Sequence, residues 1–236
     1  MQTPASHAAT QLNAISSMAT RQVLTELAEA YRAATGVVLA LESVGGVDAA
    51  KRVQAGEAFD IVFLASDAID KLLAAGHLLA GSRVDLVHSG VAVAVREGAT
   101  APDISSEAAV RAAVLAAPTL SYSTGPSGVA LAKLLERWGI ADEIQSRIVQ
   151  APPGVPVGTL VARGEVALGF QQLSELIHVP GIRIVGPLPP EIQITTTFSA
   201  GVGVHSKQGA AARALLDYMR SPQAHGAKLR QGMEPA

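Results

Sequence analysis

Cysteine is absent from all 236 residues. Disulfides, thiolate metal sites, cysteine nucleophiles and cysteine-ligated iron–sulfur clusters are therefore excluded. The compartment stays open, because a disulfide-free chain can work in the cytoplasm or the periplasm. Aromatic residues are scarce (one Trp, three Tyr, four Phe), which leaves most of the packing to Ala, Val, Leu and Ile. Charge is scarce as well, at 16% of residues, with 18 Lys plus Arg against 20 Asp plus Glu. Without a basic surplus nothing drives binding to a phosphate backbone, so no nucleic-acid partner is expected. No apolar run reaches the roughly 18 residues a membrane helix needs, so the chain is not expected to insert in a membrane. Residues 1–10 carry neither the basic stretch nor the apolar core of a leader. The expected location is periplasmic if a signal peptide has been removed, and cytoplasmic otherwise.

What the chain has is apolar residues, 49% of the total, and enough length for one or two domains with a sizeable core. Strand-like and helix-like patterns alternate. Residues 21–34 place Val23, Leu24, Leu27, Ala30 and Tyr31 on one helical stripe, with Gly36 as the stop. Further helices are expected at 47–55, 67–75, 107–116, 157–162, 209–220 and 222–230, and in a helix that ends at Trp138. Strands are expected at 37–41, 59–64, 84–95, 119–123, 147–150, 166–170, 182–185 and 193–204. Ser66 is placed to cap the helix at 67–75. The alternation predicts an α/β fold with open mixed sheets flanked by helices. The two longest β runs, near 88–92 and 193–199, are candidates for strands that cross between two lobes. Lobe 1 is then discontinuous, residues 1–88 and 195–236, and lobe 2 is residues 89–194.

The common catalytic signatures fail. Gly125-Pro126-Ser127-Gly128-Val129 lacks the last glycine of a nucleophile elbow, and Gly201-Val202-Gly203 does not continue into a dinucleotide fingerprint. Glu175 and His178 form one E-x-x-H, but a di-iron bundle needs two such pairs, so this pair reads as structural. Asp67 and Asp70 sit where carboxylates favour a helix dipole. No metal and no cofactor are expected.

What recurs is a strand, a short Ser-, Thr- or Gly-containing loop, then a helix start. It occurs at Ser16-Ser17-Met18-Ala19-Thr20, Ser43-Val44-Gly45-Gly46, Ala65-Ser66, Ser123-Thr124-Gly125-Pro126-Ser127-Gly128 and Pro153-Gly154-Val155-Pro156. Each such loop presents free N–H groups and hydroxyls, and in open α/β sheets these loops meet ligands at the carboxyl ends of the strands. Five of them, split between two lobes, suit an anion.

The order of elements resembles the periplasmic solute-binding proteins with the type II fold, and within them the molybdate-binding branch. The residues that carry the resemblance are Ala55-Gly56-Glu57-Ala58-Phe59-Asp60-Ile61-Val62-Phe63-Leu64-Ala65, Gly125-Pro126-Ser127-Gly128, Val161-Ala162-Arg163-Gly164-Glu165 running into Leu168-Gly169, and Ser221-Pro222-Gln223-Ala224. The resemblance implies two lobes, a two-strand hinge, an anion held in the cleft, and a monomer that serves an ABC-type permease. It departs from the branch at Ser43-Val44-Gly45-Gly46, which has fewer hydroxyls, and at Gln172, which stands where the branch has a Tyr ligand. Arg21 lies beside the first loop, and its planar fork suits a carboxylate. The expected ligand is a small oxyanion or organic carboxylate, held by Ser17, Thr20, Arg21, Ser43, Gly45, Ser66, Ser127, Val155 and Gln172, with a carboxylate preferred to molybdate. A second resemblance is to aconitate isomerase, an enzyme on the same scaffold, whose reaction moves one proton within an allylic tricarboxylate and needs no cofactor. His88, near the hinge, is the candidate base for that alternative. A binding protein is the first expectation and the isomerase the alternative.

Overall fold

A computed structural model describes residues 10–152 and 155–236. Strands and helices alternate through its first part: β1 (Gln11–Ser17), α1 (Arg21–Thr35), β2 (Val38–Val44), α2 (Gly46–Gln54), β3 (Ile61–Ala65), α3 (Ser66–Ala74) and the long β4 (Val84–Arg96). Then come α4 (Glu107–Ala116), β5 (Leu120–Tyr122), α5 (Pro126–Arg137), α6 (Ala141–Ile144), α7 (Val157–Ala162), β6 (Leu168–Gln172), α8 (Leu173–Leu176) and β7 (Ile182–Pro187). The chain closes with β8 (Thr195–Val202), α9 (Gly209–Arg220), α10 (His225–Arg230) and β9 (Glu234–Pro235).

The strand order is β2-β1-β3-β8-β4-β6-β5, with β7 and β9 also on β4. β1 runs parallel to β2 and β3, β5 runs parallel to β6, and β4 is antiparallel to each of its partners. Residues 84–90 of β4 pair with β8, while residues 91–96 pair with β6 and β7. The two mixed sheets are thus joined through one shared strand. The chain returns where Ile194 O accepts from Val91 N at 3.1 Å, immediately before β8. Gly90 sits at the changeover, and a Cβ there would lie 3.1 Å from the Gln193 side-chain nitrogen. Of the two β runs expected to cross, only β4 runs through both sheets, while β8 lies wholly in the first and the chain crosses back just before it.

Apolar burial explains the layers. Every residue of β3 is buried, as expected of a strand covered on both faces. One face packs on Val23, Leu24 and Leu27 of α1 and Leu215, Leu216 and Met219 of α9. The other packs on Val53 of α2 and on Ile69 and Leu72 of α3. In the second sheet, Val91, Val93, Val95 and Phe170 pack on Val110 and Val114 of α4 and Leu131 and Leu135 of α5. Ala92 and Ala94 meet Leu176 of α8 on the opposite face. α1 stops where expected, with Gly36 at φ 76°. Lys228 is 1% exposed, with its Nζ donating to Leu86 O at 2.8 Å, and burial pushes its pKa down.

Several expectations are corrected. Residues 147–150 form no strand: a 3-10 turn at Gln145–Arg147 leads into a single bridge between Leu120 and Ile148. The reason is Arg147, whose guanidinium donates to Leu115 O and Ala117 O at 2.7 and 2.8 Å and ties the segment to the end of α4. Ser66 does not cap α3. The cap position is Ala65, and Ser66 is already the first helical residue. β6 runs two residues beyond the expected 166–170 strand, so Gln171 and Gln172 lie inside it. Residues 222–230 divide into a 3-10 turn at Pro222–Ala224 followed by α10.

Candidate functional site

β1 delivers Ser16 and Ser17 to its carboxyl end, beside the end of β2. Ser16 Oγ lies 2.8 Å from Ser43 Oγ, and Ser17 Oγ lies 3.4 Å from Thr20 Oγ1, which also donates to Ser17 O at 3.2 Å. Ser16, Ser17 and Thr20 are buried, and Ser43 is half-buried. The start of α2 approaches the same place, for a Cβ on Gly46 would meet Ser17 Cβ at 3.5 Å. The first two loops therefore form one cluster. No side chain caps α2, α3 or α5, which leaves first-turn N–H groups there for water or a ligand, whereas α1 continues the Met18–Thr20 turn and Arg21 N donates to Met18 O. By contrast, α4 is capped by Ser106 Oγ, which accepts from Ala109 N at 3.2 Å.

On the far side of β4, Ser123 Oγ and buried Ser127 Oγ lie 3.0 Å apart at the start of α5. Gly128 is required there, because a Cβ would fall 1.5 Å from Ser123 O. β6 ends in two buried glutamines whose side chains leave on opposite faces of the strand. Gln172 Nε2 donates to Thr196 Oγ1 at 3.0 Å. Gln171 Oε1 accepts from Gly158 N at 3.4 Å. Burial raises the Glu175 pKa to about 7.

Contacts across the junction bring these groups together. α8 packs against the Met18–Thr20 turn, and α5 packs against β8. His178 Nε2 donates to Gln231 Oε1 at 2.6 Å, and Gln231 Nε2 donates to Glu26 Oε2 at 2.7 Å. Near the same junction lie buried polar atoms with no partner: Ser89 Oγ, Gln172 Oε1 and Ser174 Oγ. Ser89 is the cross-strand partner of Thr196, which Gln172 touches. Buried polar groups are ordinarily bonded, and leaving one unmade costs about 1–3 kcal/mol. Three at one junction is a pattern a polar ligand would complete.

The expected site residues divide accordingly. Ser17, Thr20 and Ser43 gather in one cluster, with Gly45 exposed at the start of α2. Ser127 and Gln172 lie on the β6 side of β4, buried. Ser66 and Val155 are half-buried at the starts of α3 and α7, while Pro153 and Gly154 lie outside the described residues. Arg21 is exposed as the first residue of α1 and makes no ion pair among the described residues. His88 is half-buried, with Nδ1 3.0 Å from Thr197 Oγ1. Sequence reasoning passed over Ser89, Gln171 and Ser174, and read Glu175 as structural. Asp60 of the family-like segment has a structural role, accepting from Asn13 N at 2.9 Å and from Ser206 Oγ at 2.6 Å. Among the described residues, no three His, Asp or Glu side chains are placed to hold a metal ion.

Two mixed sheets on one shared strand agree with what comparison with known proteins finds. The model of the bacterial extracellular solute-binding protein family matches residues 12–234. The chain belongs to this family. A periplasmic molybdate-binding protein from Azotobacter vinelandii superposes with a TM-score of 0.78, covering 94% of this chain and 98% of that one at 22% identity. A sulfate-binding protein from Mycobacterium tuberculosis superposes with a TM-score of 0.77, covering 96% and 87% at 15% identity. Among curated proteins, an aconitate isomerase from a Pseudomonas species is 41% identical over 231 residues, 96% of this solute-binding-family chain and 88% of the relative. The fold is that of the type II periplasmic binding proteins. Among the described residues no helix is long and apolar enough to cross a membrane.

Proposed function

We propose that this chain binds a small polycarboxylate between two lobes and isomerises it by moving one proton, as an aconitate isomerase would. The observation that carries this reading is the 41% identity to the Pseudomonas aconitate isomerase along almost the whole chain. The site chemistry supports it. Hydroxyls at Ser17, Thr20, Ser43 and Ser127 and the uncapped starts of α2 and α5 supply donors for carboxylate oxygens. Gly45 and Gly46 leave room beside them, and exposed Arg21 offers a fork for an outer carboxylate. A micromolar site needs about 8 kcal/mol, and several charge-assisted bonds at about 1.5–3 kcal/mol each supply it. The lobes we assign are residues 1–88 with 195–236, and 89–194, with the ligand at their junction.

The test has two parts. Purified protein mixed with trans-aconitate should yield cis-aconitate, followed by proton NMR. Titration calorimetry on protein refolded free of ligand should give binding with trans-aconitate and citrate, and weaker or no binding with molybdate, tungstate and sulfate. Submicromolar molybdate binding with no response to carboxylates and no turnover would overturn the reading.

The family match over residues 12–234 favours a second reading, a periplasmic monomer that captures the anion and delivers it to an ABC-type permease. Tight carboxylate binding without turnover would favour that one.

A further inference from the structure

The apolar rows of the two cores meet at a polar break. Alternate residues of a strand share a face, so Val87, Ser89, Val91 and Val93 of β4 stand in one row. Val87 packs in the core on α1 and α9, and Val91 and Val93 pack in the core on α4 and α5. Ser89, between them, is the one polar residue of the row. The neighbouring strands break at the same level. Thr196 of β8 stands directly opposite Ser89, next in its row to Phe198 of the first core. Gln172 of β6 stands opposite Val91, next in its row to Phe170 of the second core. Opposed residues of paired strands share a face, and the 3.0 Å bond from Gln172 Nε2 to Thr196 Oγ1 closes the three into one patch.

On the isomerase reading, we propose that this patch is the floor of the substrate site, where the hydroxyls of Ser89 and Thr196 hold one carboxylate of the polycarboxylate. Ser89 and Gln172 are 0% and 3% exposed, and Ser89 Oγ and Gln172 Oε1 have no partner. Packing gives no reason for a hydroxyl at this place. An apolar residue at 89 would make the row continuous, and buried polar groups are ordinarily bonded. Thr196 Oγ1 accepts from Gln172, so its own O–H remains to donate. Directly opposed side chains start about 5 Å apart, a spacing at which two hydroxyls reach the two oxygens of one carboxylate. Ser89 Oγ is closed to solvent, so the carboxylate seats while the sheets stand apart and is sealed as they close.

The patch also selects among anions. Thr20 borders a small hollow together with Val87 and Phe198, the residues one step from Ser89 and Thr196 in their rows. One step is about 7 Å along a strand. The hydroxyl cluster of Ser17 and Thr20 and the patch are thus two separate groups of donors. A polycarboxylate carries its charges on separate carbon arms and meets both at once. A tetrahedral oxyanion carries all its oxygens on one atom and meets one of them. Ser89 therefore favours a polycarboxylate over molybdate or sulfate.

The test is calorimetry on wild type, Ser89→Ala, Thr196→Val and Thr196→Ser, each prepared free of ligand. The ligands are trans-aconitate and three dicarboxylates that each lack one of its carboxylates: itaconate, glutaconate and mesaconate. Ser89→Ala should bind trans-aconitate at least about tenfold more weakly than wild type, the loss expected for a hydrogen bond to a charged group. Toward the one dicarboxylate that lacks the carboxylate held by the patch, Ser89→Ala and wild type should bind alike. Thr196→Val should lose affinity for trans-aconitate, and Thr196→Ser, which keeps the hydroxyl, should retain most of it. The urea midpoint of Ser89→Ala should not fall, because the hydroxyl it removes has no partner. Wild-type affinity for trans-aconitate in Ser89→Ala, or an equal loss toward all three dicarboxylates, would overturn the assignment and leave the isomerase reading intact. Carboxylate binding that depends on Ser89, without turnover by wild type, would overturn the isomerase reading and leave the assignment standing. No binding of any carboxylate by wild type would overturn both.

Discussion

Gln172 donates its side-chain amide to the Thr196 hydroxyl at 3.0 Å, joining the end of β6 to the start of β8. The other end of that amide, Oε1, is buried with no partner. Because a hydroxyl can donate as well as accept, a half-turn of the amide keeps the Thr196 bond and presents two N–H donors instead. The same residue can therefore fasten the junction and serve an anion.

Replacing Gln172 with Leu separates those roles. The variant loses one hydrogen bond, worth about 1 kcal/mol, and also removes a buried unsatisfied oxygen. Stability in urea should stay within about 1 kcal/mol of wild type, while affinity for trans-aconitate should fall at least tenfold. A large loss of stability with unchanged affinity would make Gln172 a structural residue only.

Glu175 gives a pH signature whatever the function. Its folded pKa, about 7, lies above the ordinary carboxylate value of 4.5. The folded state therefore binds more protons than the unfolded state between those values, and stability falls as pH rises through that window. The shift corresponds to at most about 3 kcal/mol. Glu175→Gln should accordingly be more stable than wild type at pH 8 by up to about 3 kcal/mol and nearly equal to it at pH 4. Parallel stability curves for the two proteins would show that Glu175 is not held in the protonated range.

Gly128 is sterically fixed. A methyl there would collide with the Ser123 carbonyl at 1.5 Å, so Gly128→Ala must displace the loop that starts α5. We expect a loss of about 1–3 kcal/mol in a denaturant melt, as for overpacking elsewhere, together with weakened carboxylate binding. Wild-type affinity in a destabilised variant would remove that loop from the site.

The chain from His178 through Gln231 to Glu26 fastens α8 to α1. Burial works against the Glu26 carboxylate, but bonds from Gln231 and Arg230 outweigh it and hold its pKa below the usual value. The contribution is present above about pH 4.5 and is lost as pH falls through the lowered folded value. Gln231→Ala should enlarge the radius of gyration of ligand-free protein in small-angle scattering, with compaction on adding trans-aconitate. An unchanged profile would mean that this contact does not govern opening.

Much of this architecture can be read in the sequence because it follows from local chemistry. The apolar run of β3, the stripe of α1 and the glycine stop at Gly36 are each set by neighbouring residues. Segment 147–150 misled because a long-range bond from Arg147 to the end of α4 overrides its β-branched pattern. Ser17, Thr20, Ser43 and Gln172 can be singled out in the sequence because each stands at the end of a strand or in a motif. Glu175 was visible inside an E-x-x-H, but its burial is something only tertiary structure supplies. Arg21 was chosen for its charge beside a loop, and a side chain that long can swing to solvent, where the structure places it.

The thirteen residues of β4 belong to both sheets, and the Val91 amide bonds to the chain that returns into β8. Neither half can unfold without stripping an edge from the other. Heat should therefore melt the molecule in a single cooperative transition rather than two, with calorimetric and van't Hoff enthalpies in agreement. Amide protons on either side of Gly90 should exchange with solvent at the rate of global unfolding.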